Sequence, residues 1–172
     1  SERLVKAAKA VDAVVMVDNT FATPINQNPI QLGADLVLHS ATKYLCGHSD
    51  AMGGLLAGKK KLVQKVFHFR EINGASLQAD PAYMIARGMK TLELRIERQN
   101  ASALKIAQYL KAHDKVGDVF YPGLETHTGH DIAKKQMRGF GGMMSFSLHG
   151  GWKSVQKFLP ALKLAHRAAS LG

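Results

Sequence analysis

The sequence predicts an α/β chain that gives way, near residue 90, to a smaller α+β unit. Three observations carry this: apolar runs of strand length that end in polar residues, helical segments between them, and a long amphipathic stretch where the texture changes. Residues 3–12 set Leu4, Ala7, Ala8 and Val11 at helical spacing, so a helix leads in. "AVVMVD", Ala13 to Asp18, follows as a strand apolar on both faces, the pattern of a central parallel strand covered on each side. After the turn-rich "NTFATP" and a short helix, "GADLVLHS" gives a second strand, Asp35 to His39. A third, shorter strand spans Gly54 to Ala57.

From Asp80 the pattern turns helical. Asp80 before Pro81 reads as an N-cap with proline at the first helical position, and the helix is expected to break around Arg87 and Gly88. A long amphipathic helix comes next, with Leu92, Ile96, Leu104, Ala107, Tyr109 and Leu110 on one side. "KVGDVFYPG" is a strand closed by Pro-Gly, "HDIAKKQMRG" a helix, "MMSFSLHG" a strand and "WKSVQKFLPALKL" a last helix. This divides the chain near residues 88–98, giving units 1–92 and 93–172. Both units look half built, so a fragment of a longer protein is expected.

At 172 residues and 46% apolar content the chain has the makings of a globular core. No apolar run approaches the ~20 residues that cross a bilayer, and "SERLVKAAKAVDAVV" lacks the pattern of a secretory leader. No membrane partner is expected. The lone Cys46 precludes an internal disulfide and suits a reducing compartment, the cytoplasm. A net charge of +10 raises the question of nucleic acid. Yet Lys59, Lys60, Lys61 and Lys65 share one candidate helix, Lys134, Lys135 and Arg138 a second, and Lys153, Lys157, Lys163 and Arg167 a third region. No aromatic residues interleave with them as a stacking platform requires. Solvated helix faces account for these charges better than a nucleic-acid-binding module.

Ligands of open α/β sheets bind beyond the carboxyl ends of the strands. Asp18 and the segment Ser40 to Lys43 both fall there, placing a carboxylate, two hydroxyls and an amine on one rim. Pyridoxal phosphate demands such a set: a lysine for the Schiff base, an acid facing the pyridinium nitrogen, and donors for the phosphate. Taken alone these signals are weak, because strands often end in aspartate and a lysine after a strand is usually an exposed loop charge.

The stretch "VVMVDNTFATPINQNPIQLGADLVLHSATKYLCGHSDAMGG" resembles the signature region of the Cys/Met metabolism family of pyridoxal-phosphate enzymes. Its D-N-T, G-A-D, H-S-x-T-K-Y and G-H-x-D elements are long and specific. The likeness continues through "RGMKTLELRI", "YPGLETHTGHDIAKKQM" and "LKLAHRAASLG", so it spans essentially the whole chain. It implies that Lys43 forms the Schiff base with the cofactor, Asp18 pairs with the pyridine nitrogen, and Ser40 and Thr42 bind the phosphate. Ser170 would help to position the substrate carboxylate. The implied fold is the type I, aspartate-aminotransferase-like one, with the end of the large cofactor domain followed by the start of the small C-terminal domain. The implied activity is γ-elimination of cystathionine or methionine to a 2-oxo acid, ammonia and a thiol. γ-Replacement, as in cystathionine γ-synthase or an O-acylhomoserine sulfhydrylase, is the alternative. A homotetramer is implied for the intact protein, and these residues alone are expected to be inactive.

Other residues take plainer readings. His127 and His130 form an H-x-x-H with no third ligand nearby in sequence, so no metal is expected. "GFGGMM" lacks the lysine and the helix of a phosphate loop, and Met143 and Met144 read as strand core. Cys46 reads as a small buried filler, with His48 and Asp50 ordering the turn after Lys43.

Overall fold

The computed structural model describes residues 2–168, 170 and 171. The chain falls into two compact units, one running to Glu93 and the other covering Leu94–Leu171.

In the first unit, α1 (Glu2–Ala10) leads to a three-stranded sheet of β1 (Met16–Asp18), β2 (Leu36–Ser40) and β3 (Gly54–Gly58). β1 and β2 are parallel, with Asp18 opposite Leu38, while β3 runs antiparallel to β2, with Gly54 opposite Ser40. The order β1-β2-β3 puts β2 in the middle, and there Val37 and His39 are buried. β1, read as a covered central strand, has only β2 beside it among the described residues of this chain. It is an edge of the described sheet, and Met16 is 58% exposed. The helix ahead of it differs from expectation. Val5, not the Leu4 and Val11 side, is buried, because side-chain-less Gly33 lets the Val5 methyl approach.

Asp35 ties the sheet together from the entry of β2. Its Oδ2 accepts the Val15 N–H at 2.9 Å, and its Oδ1 pairs with Lys59. That pairing, more than the Val15 bond, holds the Asp35 carboxyl below its ordinary range. Past β3 come α3 (Lys60–Asn73) and α4 (Ala79–Met89). The N-cap of α4 is Gln78, so Asp80 is one residue inside the first turn. A carboxylate there still faces the positive end of the helix dipole. The helical run breaks at Lys90 and Thr91, slightly later than the sequence suggests.

The second unit takes α5 (Leu92–Lys111) from Leu94 onward, then β4 (Val116–Phe120), α6 (His130–Gln136), β5 (Ser145–Leu148) and α7 (Gly151–Ala161). β4 and β5 pair antiparallel. The core gathers Ala103, Ala107, Tyr121 and Leu124, with Leu104, Val119, Phe140 and Met144 against it. Tyr109, expected on the apolar side of the long helix, is 65% exposed instead. Ala103 and Ala107, four apart, make the contact stripe, because small side chains let the helix sit close to Tyr121. Met143 and Met144 precede β5, and Met143 stays partly exposed. No described helix is long and apolar enough to cross a membrane.

Candidate active site

The residues expected at the strand ends fall in the first unit. Asp18 closes β1, Ser40 closes β2, and Thr42 and Lys43 stand in the turn that follows. Parallel pairing of Asp18 with Leu38 places Ser40 two residues farther along the neighbouring strand, on the same face as Asp18.

A residue without an assigned role in the sequence reading joins the two strand ends. The Ser40 N–H donates to Thr20 Oγ1 at 2.8 Å, and that hydroxyl donates to Asp18 Oδ1 at 2.6 Å. The Thr20 N–H adds a second bond to the same oxygen at 2.9 Å. With Oδ1 committed to Thr20, the carboxylate is fixed in direction. The hydroxyl bond, then the backbone bond, depress the Asp18 pKa, with a smaller contribution from His39 and some opposition from burial. The signal for Thr20 was present in D-N-T: in an Asx-type turn the aspartate accepts the N–H two residues on, and a threonine at that position can add its hydroxyl to the same oxygen.

The turn carrying Lys43 is wound like a helix. Lys43 N–H donates to Ser40 O at 3.1 Å, Cys46 N–H to Ala41 O at 2.9 Å, and Gly47 N–H to Lys43 O at 2.7 Å. Thr42 Oγ1 accepts the Gly53 N–H at 3.0 Å, while its own contact to Gly53 O is a long 3.4 Å. The hydroxyl proton is thus weakly engaged and able to turn to another acceptor. Lys43 itself is half-buried, between the buried Ala41 and Tyr44.

Beneath the turn, Cys46 is fully buried and its thiol donates to Asp50 Oδ1 at 3.1 Å. Burial first, then Asp50, pushes the thiol pKa up, which keeps it protonated and inert. His48 Nδ1 meets the Cys46 carbonyl at 2.7 Å, so His48 and Asp50 both secure this turn. Gly88 of α4 lies against the Cys46 carbonyl, where a Cβ would come within 2.1 Å. A cavity of about 290 Å³ opens beside it, lined by His48, Asp50, Met84, Arg87, Lys90 and Thr91.

One buried group at the site lacks a partner. His39, 5% exposed, has its Nδ1 without a hydrogen bond among the described residues. Burial lowers its pKa, with Asp18 pulling the other way.

Ser170 belongs to the second unit, in the irregular chain after α7, and is exposed. Ala169 and Gly172 of the "RAASLG" stretch lie outside the described residues. His130 does not form a metal pair with His127; its Nδ1 sits 2.8 Å from Pro122 O and its ring packs on Phe140. No cluster of three metal-ligating side chains occurs among the described residues.

A carboxylate kept ionised, an amine and two hydroxyls at adjoining strand ends form the donor set that pyridoxal phosphate needs. The model of one family, Cys/Met metabolism PLP-dependent enzyme, matches residues 1–172. The chain belongs to this family. It is 52% identical over 160 residues to cystathionine gamma-synthase 1 (chloroplastic) of Nicotiana tabacum, covering 93% of this chain and 30% of that protein. Over 163 residues it is 49% identical to the L-methionine gamma-lyase of Fusobacterium nucleatum subsp. polymorphum, covering 94% of this chain and 41% of that protein. The crystal structure of cystathionine gamma synthase from Xanthomonas oryzae pv. oryzae, in complex with aminoacrylate and cysteine, superposes with a TM-score of 0.96 at 42% identity. That match covers 99% of this chain and 44% of the other. The chain therefore spans less than half the length of these relatives.

Proposed function

We propose that this chain carries the cofactor-binding half-site of a pyridoxal-phosphate enzyme that cleaves the Cγ–S bond of a sulfur amino acid, with Lys43 as its catalytic lysine. Bound there, the cofactor supplies an electron sink that makes the substrate's α- and β-protons removable. The observation that carries the reading is the hydrogen-bonded chain from Ser40 N–H through Thr20 to Asp18. It fixes an ionised carboxylate beside the segment that bears Lys43. Asp18, with Oδ1 occupied by Thr20, would have its second oxygen left to pair with the cofactor's ring nitrogen and keep that nitrogen protonated. Ser40 and the rotatable Thr42 hydroxyl hold the phosphate. Lys43 would hold the cofactor covalently through Nζ, and the same amine would serve as the base for the substrate's α-proton. Ser170 orients the substrate carboxylate.

In this reading residues 1–92 end a large cofactor domain of the type I, aspartate-aminotransferase-like fold, and 93–172 begin its small C-terminal domain. The reaction proposed is γ-elimination of cystathionine or methionine, giving a 2-oxo acid, ammonia and a thiol. The 52% identity to the tobacco synthase favours a second reading, γ-replacement, in which a thiol enters where the γ-substituent left. The intact enzyme is proposed to be a homotetramer acting in the cytoplasm, and residues 1–172 alone to be inactive. Incubating the intact enzyme with cystathionine, with methionine, and with an O-acylhomoserine plus cysteine separates the readings. 2-Oxobutanoate and ammonia identify γ-elimination, pyruvate from cystathionine would contradict it, and cystathionine formed from the third mixture identifies replacement. No product from any of them refutes both.

A further inference from the structure

Asn19 stands between the two residues that form the carboxylate's hydrogen-bond chain, and it is built in more firmly than either. It is 3% exposed, whereas Asp18 is open to solvent and Thr20 half-buried. The Asn19 N–H donates to Leu38 O at 2.9 Å, carrying the β1–β2 ladder one residue past Asp18. Its Nδ2 donates twice, to Thr23 O at 3.1 Å and to Gln27 O at 3.0 Å, the first residue and the C-cap of α2 (Thr23–Asn26). The Thr23 N–H returns a bond to Asn19 O at 2.9 Å.

Thr23 is fully buried and has φ +61°. A β-branched residue avoids this left-handed region, and such a conformation persists only where the surroundings over-determine it. Here they do. Asn19 takes the Thr23 carbonyl and supplies the acceptor for its N–H, so one side chain and one peptide lock the strained residue from both sides.

We propose that Asn19 is a positioning residue for Asp18. It acts through this clamp, fixing the backbone at residue 19 so that the carboxylate before it and the Thr20 hydroxyl after it keep one geometry. The proposal rests on the reading of Asp18 as the partner of the cofactor's ring nitrogen. Without the Asn19 amide, the part-buried Gln27 carbonyl loses this donor and the Thr23 carbonyl keeps only the Gln27 N–H, so the hold on Thr23 in the left-handed region is weakened. The carboxylate then loses the fixed direction that transition-state stabilisation requires.

The test uses the intact holoenzyme with Asn19→Ala, Asp18→Asn and the double variant. Asn19→Ala is expected to lower kcat by about 10- to 100-fold with KM for the amino acid within about 3-fold. Fluorescence titration of the apoenzyme should find pyridoxal phosphate bound about 10-fold more weakly, with Lys43 still reducible onto the cofactor by borohydride. On the Asp18→Asn background, Asn19→Ala should add less than about 3-fold, because both changes remove one function. A purely structural role predicts a lowered Tm, kcat and cofactor affinity within about 2-fold of wild type, and effects that multiply in the double variant; that outcome overturns the proposal. Should Asn19→Ala fail to fold, Asn19→Ser, which keeps one donor, is read by the same criteria. If Asp18→Asn itself turns over and binds cofactor normally, the reading of Asp18 fails. If it is impaired and the Asn19 variants are not, the proposal about Asn19 alone fails.

Discussion

Replacing Gly88 by alanine sets two physical effects of known sign against each other. Alanine in place of glycine inside a helix ordinarily gains about 1 kcal/mol, less near an end, and Gly88 is next to last in α4. Against this, the new Cβ would sit 2.1 Å from the Cys46 carbonyl oxygen, 2.8 Å from its carbon and 3.0 Å from Cys46 Cα. All three atoms are backbone, in a turn tied down by the Cys46 N–H bond to Ala41 O and by the Cys46 thiol bond to Asp50. No flexible side-chain tip can swing away, so helix or turn must retreat by roughly 1 Å to restore ordinary contact. Overpacking of this kind costs about 1–3 kcal/mol, which outweighs the helix gain and leaves Gly88→Ala destabilised by about 1–2 kcal/mol. Because the displaced turn carries Lys43, cofactor occupancy should fall with stability. Urea unfolding of the intact apoenzyme gives the first quantity and absorbance of the reconstituted enzyme gives the second. A variant more stable than wild type by about 1 kcal/mol, with full cofactor loading, would refute the packing argument.

Thr20→Val removes the acceptor of the Ser40 N–H and the donor to Asp18 together. Its Asp18 carboxyl should titrate closer to 3.8, as read by carbon NMR of the apoenzyme, and cofactor affinity should drop about 10-fold, the equivalent of one to two lost hydrogen bonds. A depressed carboxyl pKa contributes stability that is present above the unfolded value of 3.8 and lost as pH falls through the folded value, so this variant should show a smaller acid-side loss than wild type. His39→Leu addresses the opposite edge of the pH range. Burial holds the His39 pKa below 6.5, so the unfolded chain takes up a proton that the folded one refuses, and wild-type stability declines as pH falls below 6.5. Urea midpoints of the two proteins should diverge in favour of leucine between about pH 7.5 and about pH 5.5; parallel slopes would contradict the assignment.

The strands bearing the site were legible because polar residues cap apolar runs, which places Asp18 and Ser40 at the ends of successive strands. Pairing partners were not. Periodicity reports how a strand's faces are composed, while strand order and register are set by long-range pairing. Val5 was missed for the same reason: its burial depends on Gly33, far along the chain, having no side chain. Thr20 and Asn19 were visible as motif letters without roles, since the bonds that give them roles run to Ser40, Thr23 and Gln27. Cys46 was readable as a small buried filler, but its thiol bond to Asp50 required the turn to be built.

The central claim, that Lys43 is the lysine joined to pyridoxal phosphate, is tested most directly on the intact holoenzyme by borohydride reduction, proteolysis and mass spectrometry. The account predicts a phosphopyridoxyl group on the peptide containing Lys43, and neither label nor turnover in the Lys43→Ala enzyme. A label on another lysine, or a Lys43→Ala enzyme turning over near the wild-type rate, would contradict it.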